Sequence, residues 1–431
     1  MSNPTPSTAY DTLPLPLLFP TIPITSTHLL SGGTTNSVHR CHTSTGSSVI
    51  AKRFWTFSVS SGPGAFELSL KRSEVENLVL ENIPAILHPT VSAPTPLKFL
   101  HLRGNDIVET PNLADSTLLL SSDAGASTTT LKQLLTASSL SPSDSAALSP
   151  ETWPQLGRAL GQWLARFHWH FRLPAASSTA TNTGELDEVR KLHHDLTGIG
   201  AGNFELWYTV TYGRLSSSYG EWEQGVVEKL QEIITAAEAP SADAANTSAR
   251  TLVMGDFWTG NVLVSTKTAN NNKSASTETK PTALTPEMTV IDWELSRTGH
   301  AWQDLGQMTA ELLLCHYFGP EPSTTPSPAL KVLTAFLTSY SREWDTLGSG
   351  KVFHVEKQSQ EENRNQVDTE LLALIHAMVH CVVWPEFSGW APVEKVLQLK
   401  RDAVEVLTAV VRGTVGGVAE GLRGFGVVWE E

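Results

Sequence analysis

The sequence predicts an α+β protein in which a small β-rich N-terminal lobe precedes a larger helical C-terminal lobe. Three observations lead to this prediction. Residues 24–60 alternate apolar and polar side chains and are rich in β-branched residues, as strands are. Segments beyond residue 150 carry apolar residues at intervals of three and four, as helices do. The 431 residues, of which 40% are hydrophobic and 17% charged, supply ample apolar side chains for two lobes.

Four strands and one helix are predicted for the N-terminal lobe, which we place at residues 26–123 after a tail formed by residues 1–25. Turns rich in glycine and serine separate the first three strands. Apolar residues recur at helical spacing within residues 69–83 and predict the helix. The predicted strands are residues 24–30, 37–43, 48–57 and 117–120.

The C-terminal lobe, residues 124–431, is predicted to be mainly helical. Ser149 followed by Pro150 is typical of a helix cap and first turn. One continuous apolar stripe follows, and it predicts a buried helix face. The stripe consists of Leu156, Leu160, Trp163, Leu164 and Phe167. Residues 371–383 and 393–411 predict two closing helices.

Stretches rich in Ser, Thr, Asn and Pro interrupt the C-terminal lobe. Such segments cannot bury enough apolar surface to offset the entropy lost on ordering them. We interpret them as surface insertions that lengthen the chain without adding a third core. They cover about residues 175–184, 239–249 and 265–287.

Charge and cysteine content argue against several classes of function. With 30 Lys and Arg against 44 Asp and Glu, the net charge of −14 argues against nucleic-acid binding, which depends on basic residues. No apolar run is long enough to cross a bilayer, so no membrane association is expected. Cys41, Cys315 and Cys381 form no metal-binding or redox spacing. We interpret them as reduced thiols of a cytoplasmic protein.

The most informative segment is LVMGDFWTGNVLV, residues 252–264, in which a polar loop joins two apolar strands. Asp256 and Asn261 lie five positions apart on this loop. That spacing is typical of a kinase catalytic loop, where Asp accepts the proton of the substrate hydroxyl and Asn binds magnesium. The alternative is a hairpin whose Asp and Asn serve only the turn.

A second acidic segment follows the strand predicted at Met288–Ile291 and reads Asp292-Trp293-Glu294. Phosphoryl transfer needs a second carboxylate that holds the metal ions bridging the nucleotide phosphates. Asp292 is placed for that role. The alternative is an acid exposed at the end of a strand, but the order of the two segments, each beside a buried strand, favours function.

A lysine within a predicted strand also points to chemistry. Lys52 ends the sequence Val-Ile-Ala-Lys, and a charge among apolar residues needs a partner. Glu74 or Glu76 on the following helix could supply it, and we favour Glu76 because Val79 and Leu80 follow it three and four residues later. A lysine on an edge strand that faces water is the alternative.

Upstream of this lysine lies a glycine-containing loop that includes Gly32, Gly33 and Asn36. Glycines let a backbone approach phosphates closely, and successive N–H groups can bind an anion. A Gly-Gly pair is equally compatible with a plain hairpin turn, so the distance to Lys52 is what favours phosphate binding.

Taken together, the segments GDFWTGNVLV and VIDWELSRTGHAWQDLG resemble those of the aminoglycoside phosphotransferase and choline kinase-like group, the small-molecule relatives of the protein kinases. The segment LGRALGQWLARFH, residues 156–168, is similar to the helix that precedes the catalytic loop in that group. The resemblance extends from about residue 28 to beyond residue 310. It implies a protein kinase-like fold of two lobes and an enzyme that uses ATP and Mg²⁺.

The resemblance also implies roles for individual residues. Asp256 would be the catalytic base, and the metal would be held by Asn261 and Asp292, with Glu294 contacting a metal or a substrate hydroxyl. Asp304 would support the catalytic loop. The residues expected around the nucleotide are Gly32, Gly33, Asn36, Lys52, Glu76 and, in the connection between the lobes, Ser121 and Asp123.

One position departs from the family pattern, and one question stays open. Met254 stands where many relatives have a histidine that helps to hold the catalytic loop. The acceptor is the open question: an aromatic-rich set of residues could form a cage for an amine, although packing in the core is the commoner role. The set is Trp207, Tyr208, Tyr212, Tyr219, Trp222, Trp384 and Trp390.

We therefore expect a kinase that transfers the γ-phosphoryl group of ATP to a hydroxyl of a small molecule. The acceptor could be aminoglycoside-like, choline-like or, since the loop around Gly33 is similar to that of methylthioribose kinases, a sugar. The first alternative is an inactive kinase-like protein that only binds nucleotide or metabolite. A protein kinase is the second, and the Asp292-Trp293-Glu294 segment argues against it.

Overall fold

The fold is described by a computed structural model. It covers residues 23–30, 35–60, 67–85, 87–137, 150–173, 183–238, 250–265, 286–320, 326–347, 369–385, 390, 392–415 and 417–427. The chain forms two compact units. The first unit comprises residues 1–84, 93–126 and 291–295, and the second comprises residues 85–92, 127–290 and 296–431. The predicted α+β class is confirmed, because an antiparallel sheet dominates the first unit and helices dominate the second.

The strands and helices lie close to where the sequence patterns predict them. The strands are β1 (Ile24–Leu29), β2 (Asn36–Thr43), β3 (Ser48–Trp55), β4 (Val91–Ser92), β5 (Pro96–Arg103), β6 (Asp106–Ile107), β7 (Ser116–Ser122), β8 (Thr128–Thr130), β9 (Arg250–Val253), β10 (Val262–Ser265), β11 (Met288–Val290) and β12 (Arg297–His300). The helices are α1 (Lys71–Asn82), α2 (Leu131–Thr136), α3 (Thr152–His170), α4 (Thr183–Gly213), α5 (Val226–Glu238), α6 (Ala301–Phe318), α7 (Pro328–Thr346), α8 (Thr369–Val383), α9 (Val393–Val411) and α10 (Val418–Gly421). Among the described residues, no helix combines the length and apolar composition needed to cross a membrane.

The first unit is built on one antiparallel sheet with the strand order β1–β2–β3–β7–β5–β6. Its core is lined by small and branched side chains, namely Cys41, Ala51, Leu102, Leu118 and Leu120. Lys52 lies on β3, a central strand, opposite Val38 of β2 and Leu119 of β7. The alternative of a solvent-facing edge lysine is therefore wrong, because neighbours on both sides pair with β3 and Lys52 is only 9% exposed.

The second unit holds the predicted catalytic loop between strands of two different sheets. Strand β9 pairs with β12, whereas β10 pairs with β11 and β8. The loop at residues 254–261 therefore does not close a hairpin, and that alternative is wrong. Because its two flanking strands are anchored separately, the loop is held at both ends by buried backbone.

Two boundaries differ from the sequence prediction. Helix α3 begins at Thr152 with Glu151 at its N-cap, two residues after Pro150, and Ser149 lies outside the described residues. Pro154 occupies the first turn instead, where its missing N–H removes no helical hydrogen bond. The polar stretch predicted to end at residue 184 is also shorter, because α4 already begins at Thr183.

Two glycines allow helices α3 and α7 to pack with their backbones in contact. A Cβ at Gly157 would come within 2.3 Å of the Val332 carbonyl oxygen, and one at Gly161 within 2.2 Å of the Phe336 carbonyl oxygen. Both distances are far below van der Waals contact, so these positions require glycine for close approach.

We expect Gly161→Ala to lower the free energy of unfolding by about 1–3 kcal/mol, because overpacking against backbone outweighs the gain in helix propensity. The matched control is Gly198→Ala on α4, where nothing lies within 4 Å of the added Cβ. That change should raise stability by about 0.5–1 kcal/mol. Urea unfolding of both variants tests the pair, and equal effects would contradict the assigned packing.

His376 on α8 is a buried histidine that stays neutral in the folded protein. Its Nδ1 lies 2.6 Å from the hydroxyl oxygen of Tyr212, and its ring packs edge-on against Trp302. Burial, followed by the charges of His380 and Arg297, lowers its pKa to about 3. Because the unfolded chain takes up this proton near pH 6.5, the folded state loses stability as the pH falls below that value.

Between pH 7 and pH 5.5 this single group should reduce the free energy of unfolding by about 1 kcal/mol. Denaturant unfolding of wild type and His376→Gln at both pH values gives, for each protein, the change in the free energy of unfolding with pH. The difference between these two changes is the contribution of His376. His194→Gln, at a histidine whose side chain is 88% exposed, is the control. Acid sensitivity that is the same in all three proteins would contradict the assignment.

Candidate active site

A cluster of three carboxylates surrounds a buried lysine in the first unit. The Lys52 ammonium donates to Glu76 Oε2 at 2.6 Å and to Asp292 Oδ1, and it lies 3.5 Å from Glu294 Oε2. Strand β3 supplies the lysine, α1 supplies Glu76, and the segment that follows β11 supplies both other acids. Glu76, and not Glu74, therefore contacts the lysine.

Neighbouring charges keep the Lys52 ammonium protonated in spite of its burial. Burial alone would lower the pKa of Lys52, but the charges of Asp292, Glu76 and Glu294 outweigh it and hold the pKa above its ordinary value. Burial raises the pKa of Glu76, and the neighbouring lysine only partly offsets this. Lys52 thus remains an ammonium that can contact anionic oxygens.

Glu294 is held by a buried arginine, Arg72, that was not among the predicted site residues. Arg72 Nη1 donates to Glu294 Oε2 at 2.7 Å, while Arg72 Nη2 donates to the Trp55 carbonyl oxygen at 3.0 Å. Asn36 Nδ2 donates to the same carboxylate oxygen at 2.8 Å. Burial would raise the pKa of Glu294, but Lys52 and Arg72 outweigh it and hold the pKa below its ordinary value. Asn36, expected beside the nucleotide, here binds protein groups.

Asp292 differs from its neighbours in exposure and backbone conformation. Its side chain is 33% exposed, against 6% for Glu76 and 9% for Glu294. Its φ of 72° makes it the single non-glycine residue with a positive φ in the described part of the chain. Such a conformation is costly for an Asp and is often retained at functional sites. The backbone thus presents this carboxylate to solvent beside a buried cluster.

The same carboxylates fit a divalent metal ion. Within the described residues, Glu76, Asp292 and Glu294 form the group whose ligand atoms all lie within 4.8 Å of one another. Carboxylate oxygens are the donors that Mg²⁺ and Ca²⁺ prefer. Since Glu294 already accepts hydrogen bonds from Arg72 and Asn36, Asp292 is the best placed of the three to bind an ion.

The predicted catalytic loop forms a second constellation, in the second unit. Asn261 Nδ2 donates to Asp256 Oδ2 at 3.0 Å and to the Asp256 carbonyl oxygen at 2.9 Å. Gln307 Nε2 of α6 donates to Asp256 Oδ1 at 2.9 Å. Both oxygens of the carboxylate therefore accept hydrogen bonds that fix its orientation, while the residue stays partly exposed. A carboxylate held in this way can accept a proton from a positioned hydroxyl.

The fully buried carboxylate of Asp304 supports this loop through hydrogen bonds. Asp304 accepts hydrogen bonds from the Met254 N–H at 2.8 Å and the Gly255 N–H at 3.0 Å. His168 Nε2 lies 3.1 Å from the same carboxylate, and His168 Nδ1 lies 2.9 Å from the Tyr340 hydroxyl oxygen. Met254 is itself fully buried. The loop is thus held through the backbone N–H groups of Met254 and Gly255.

Of the other residues expected around the nucleotide, two lie outside the described residues and two have side chains or backbone paired within the first unit. Gly32 and Gly33 lie outside the described residues. Ser121 pairs with Ile50 and Pro96 within the sheet. The Asp123 carboxylate accepts from Arg40 Nε at 2.6 Å and from the Ser48 hydroxyl at 2.6 Å, so its side chain is occupied within the first unit.

Four of the aromatic residues considered for an amine cage contact other residues of the second unit, Tyr212 being buried and the other three half-buried. Tyr212 contacts His376, Trp222 Nε1 donates to the Leu215 carbonyl oxygen, and Trp384 Nε1 donates to Thr211 Oγ1. Tyr219 meets Trp222 edge to face. The side chains of Trp207 and Tyr208 lie outside the described residues. Trp390 is different, because its ring faces a lysine ammonium.

Sequence reasoning missed Arg72 and Gln307. Arg72 precedes Glu76 by four residues, which places both on one face of α1, and that spacing was the available signal. Gln307 follows Asp304 by three residues on α6, so the two share the face that meets the catalytic loop. Both contacts join residues that are distant along the chain.

Comparison with known proteins finds similarity to small-molecule kinases. No protein-family model matches the chain. A curated 4-hydroxytryptamine kinase from Psilocybe cubensis is 26% identical over 158 residues, so the match spans 36% of this chain and about a third (33%) of the length of that relative.

Among solved structures, a choline kinase from Cryptosporidium parvum is 13% identical with a TM-score of 0.42, and 91% of each chain is covered. An amicoumacin kinase in complex with AMP-PNP and Ca²⁺ is 12% identical with a TM-score of 0.41, and 88% of each chain is covered. TM-scores below 0.5 do not by themselves establish a common fold.

Proposed function

We propose that this protein is a small-molecule kinase that transfers the γ-phosphoryl group of ATP to a hydroxyl of its acceptor. The observation that carries the proposal is the buried Lys52 ammonium among Glu76, Asp292 and Glu294, with Asp292 exposed and in a left-handed conformation. An isolated buried lysine would lose its charge, whereas this one is kept charged by acids of which one remains accessible. That combination suits anionic phosphates and a cation better than it suits stability alone.

The residues of the first unit would bind the nucleotide. Lys52, braced by Glu76, would contact phosphate oxygens, as the corresponding lysine does in kinases. Asp292 would hold Mg²⁺, which supplies neutralisation of phosphate charge when bound. Arg72 and Asn36 would keep Glu294 in place beside it. Much of the catalysis in such a site comes from positioning and electrostatics.

The residues of the second unit would act on the acceptor. Asp256, oriented by Asn261 and Gln307, would accept the proton of the acceptor hydroxyl. The acceptor oxygen would attack the γ-phosphorus of ATP, and ADP would leave. Asn261 would also contribute to metal binding, as the spacing of the loop suggests. Asp304 would act by holding the loop backbone. The name of the similar sequence, a 4-hydroxytryptamine kinase, supports a hydroxyl-bearing small molecule as acceptor.

Thermal unfolding in the presence of ATP, Mg²⁺ or both tests the nucleotide site. Ligand bound only to the folded state should raise the melting temperature, and at a hundredfold excess over Kd the stabilisation is about 2.7 kcal/mol. We expect a rise with MgATP that is lost in Asp292→Asn. Absence of a shift in both proteins would refute the proposed site. A panel of hydroxyl compounds assayed for ADP formation then identifies the acceptor.

The inactive kinase-like alternative makes a different prediction in the same experiments. It would show the MgATP shift but no ADP formation with any acceptor. The oriented Asp256 and its bond to Asn261 favour an active enzyme, because a protein that only binds nucleotide has no need for a fixed base.

A further inference from the structure

Beside the catalytic loop, a lysine ammonium lies between two tryptophans. Lys132 Nζ of α2 lies 5.0 Å from the centre of the Trp258 ring and 4.2 Å from that of Trp390. Trp258 is two residues from Asp256, and Trp390 stacks on Phe318 at the end of α6. Two aromatic faces around one cation form the arrangement by which proteins bind ammonium ligands. Here the cation belongs to the protein.

The position of Trp258 is fixed by the catalytic loop itself. Its ring lies directly on Gly260, where an added Cβ would come within 2.3 Å of a ring carbon. Any group bound against this ring lies against a residue two positions from the proposed base along the chain.

A buried carboxylate, Glu311, lies in the same electrostatic environment as Lys132. Glu311 on α6 is 3% exposed, and its Oε2 has no hydrogen-bond partner among the described residues. The charges of Glu311 and Lys132 both reach the thiol of Cys315, one turn further along α6. Burial and then Glu311 raise the pKa of that thiol to about 12, while a hydrogen bond from Thr259 and the charge of Lys132 act in the opposite direction. The other carboxylate oxygen of Glu311, Oε1, lies 3.1 Å from His380 Nε2. Lys132 and Glu311 therefore share an electrostatic neighbour, the Cys315 thiol, rather than a direct contact.

We propose that Lys132 occupies the Trp258–Trp390 pair as a built-in cation and thereby excludes cationic groups, so that any part of the acceptor that binds at this pair is neutral or anionic. This inference rests on the proposed function, because it assigns the acceptor class of that site. Two aromatic contacts hold a free ammonium with an affinity in the millimolar range at best. A tethered ammonium competes at an effective concentration of millimolar or more, so a free amine does not displace it.

Tetramethylammonium is the probe, because it offers a cation without hydroxyl or hydrogen-bonding groups. Its binding is measured by broadening of its methyl proton resonance with wild type, Lys132→Met and Lys229→Met. Methionine keeps the apolar stem of Lys132 without its charge. Lys229 forms an exposed pair with Glu232 on α5, so its replacement changes the net charge equally but elsewhere.

We expect Lys132→Met to bind the probe at least about tenfold more tightly than wild type and Lys229→Met, and Trp390→Leu in the Lys132→Met background to abolish the gain. Equal binding by all three proteins, or a gain that survives Trp390→Leu, would overturn the proposal. Lys132→Gln repeats the test if Lys132→Met fails to fold. Since no nucleotide or turnover enters the measurement, its outcome is independent of whether the MgATP shift is found.

Discussion

Asp256→Asn is expected to lower the rate of phosphoryl transfer by about 10²–10⁴-fold, the usual contribution of a general base. The replacement keeps the size of the side chain and removes its ability to take up a proton. Asn261 and Gln307 now hold both carboxylate oxygens in place. An asparagine can accept only one of these two hydrogen bonds, so the loss combines proton acceptance with orientation.

The MgATP-induced rise in melting temperature should survive this change, because the carboxylates assigned to nucleotide and metal lie elsewhere in the chain. Asp195→Asn serves as the matched control, since it removes one charge from a surface pair with Lys191 in the same unit. ADP formation under saturating MgATP is the measurement for all three proteins. Undiminished turnover in Asp256→Asn would remove Asp256 from the role of base.

Local patterns predicted the parts of the site whose partners are close in sequence or share one element. Alternating residues place Lys52 on a strand, and the spacing from Glu76 to Val79 and Leu80 predicts which acid lies on the buried face of α1. The catalytic loop could be predicted because Asp256 and Asn261 are five residues apart and contact each other. In these cases the backbone geometry of a single turn or element determines which side chains meet.

Contacts across long stretches of chain could not be predicted in the same way. The local pattern around Arg72 does not indicate its contact with Glu294, which lies more than two hundred residues later in the chain. Lys132 reads as an ordinary first-turn lysine, although a cation gains nothing from the dipole at that end of a helix. Its position is explained by contact with the rings of Trp258 and Trp390, which belong to two other segments of the chain. The pattern of apolar and polar residues predicts which side chains are buried, but it does not predict which distant residue each of them contacts.

The pair formed by Lys52 and Glu76 supports a prediction that separates stability from binding. Lys52→Met should lower the free energy of unfolding by about 3–5 kcal/mol, the usual effect of leaving a buried charge without its partner. The cause is Glu76, which is buried and has its pKa raised even with the ammonium present. The pKa of Glu76 is about 7 with the ammonium present and rises further without it. Proton uptake by Glu76 should therefore recover part of this loss already at neutral pH, and the destabilisation should be largest at alkaline pH.

The double variant Lys52→Met/Glu76→Gln should be more stable than Lys52→Met alone, since it removes the unpaired charge together with its partner. It should nevertheless show no MgATP shift, because no ammonium is left to contact phosphate. Lys98→Met on β5, at an exposed position in the same sheet, is the control for charge and should keep both stability and shift. Chemical unfolding and thermal shift on the four proteins measure the two effects separately. If the double variant regained the MgATP shift along with its stability, Lys52 would be a structural residue and the nucleotide site would have to lie elsewhere. If it regained stability alone, Lys52 would be needed for nucleotide binding and not for stability, which explains why a lysine is buried among three acids.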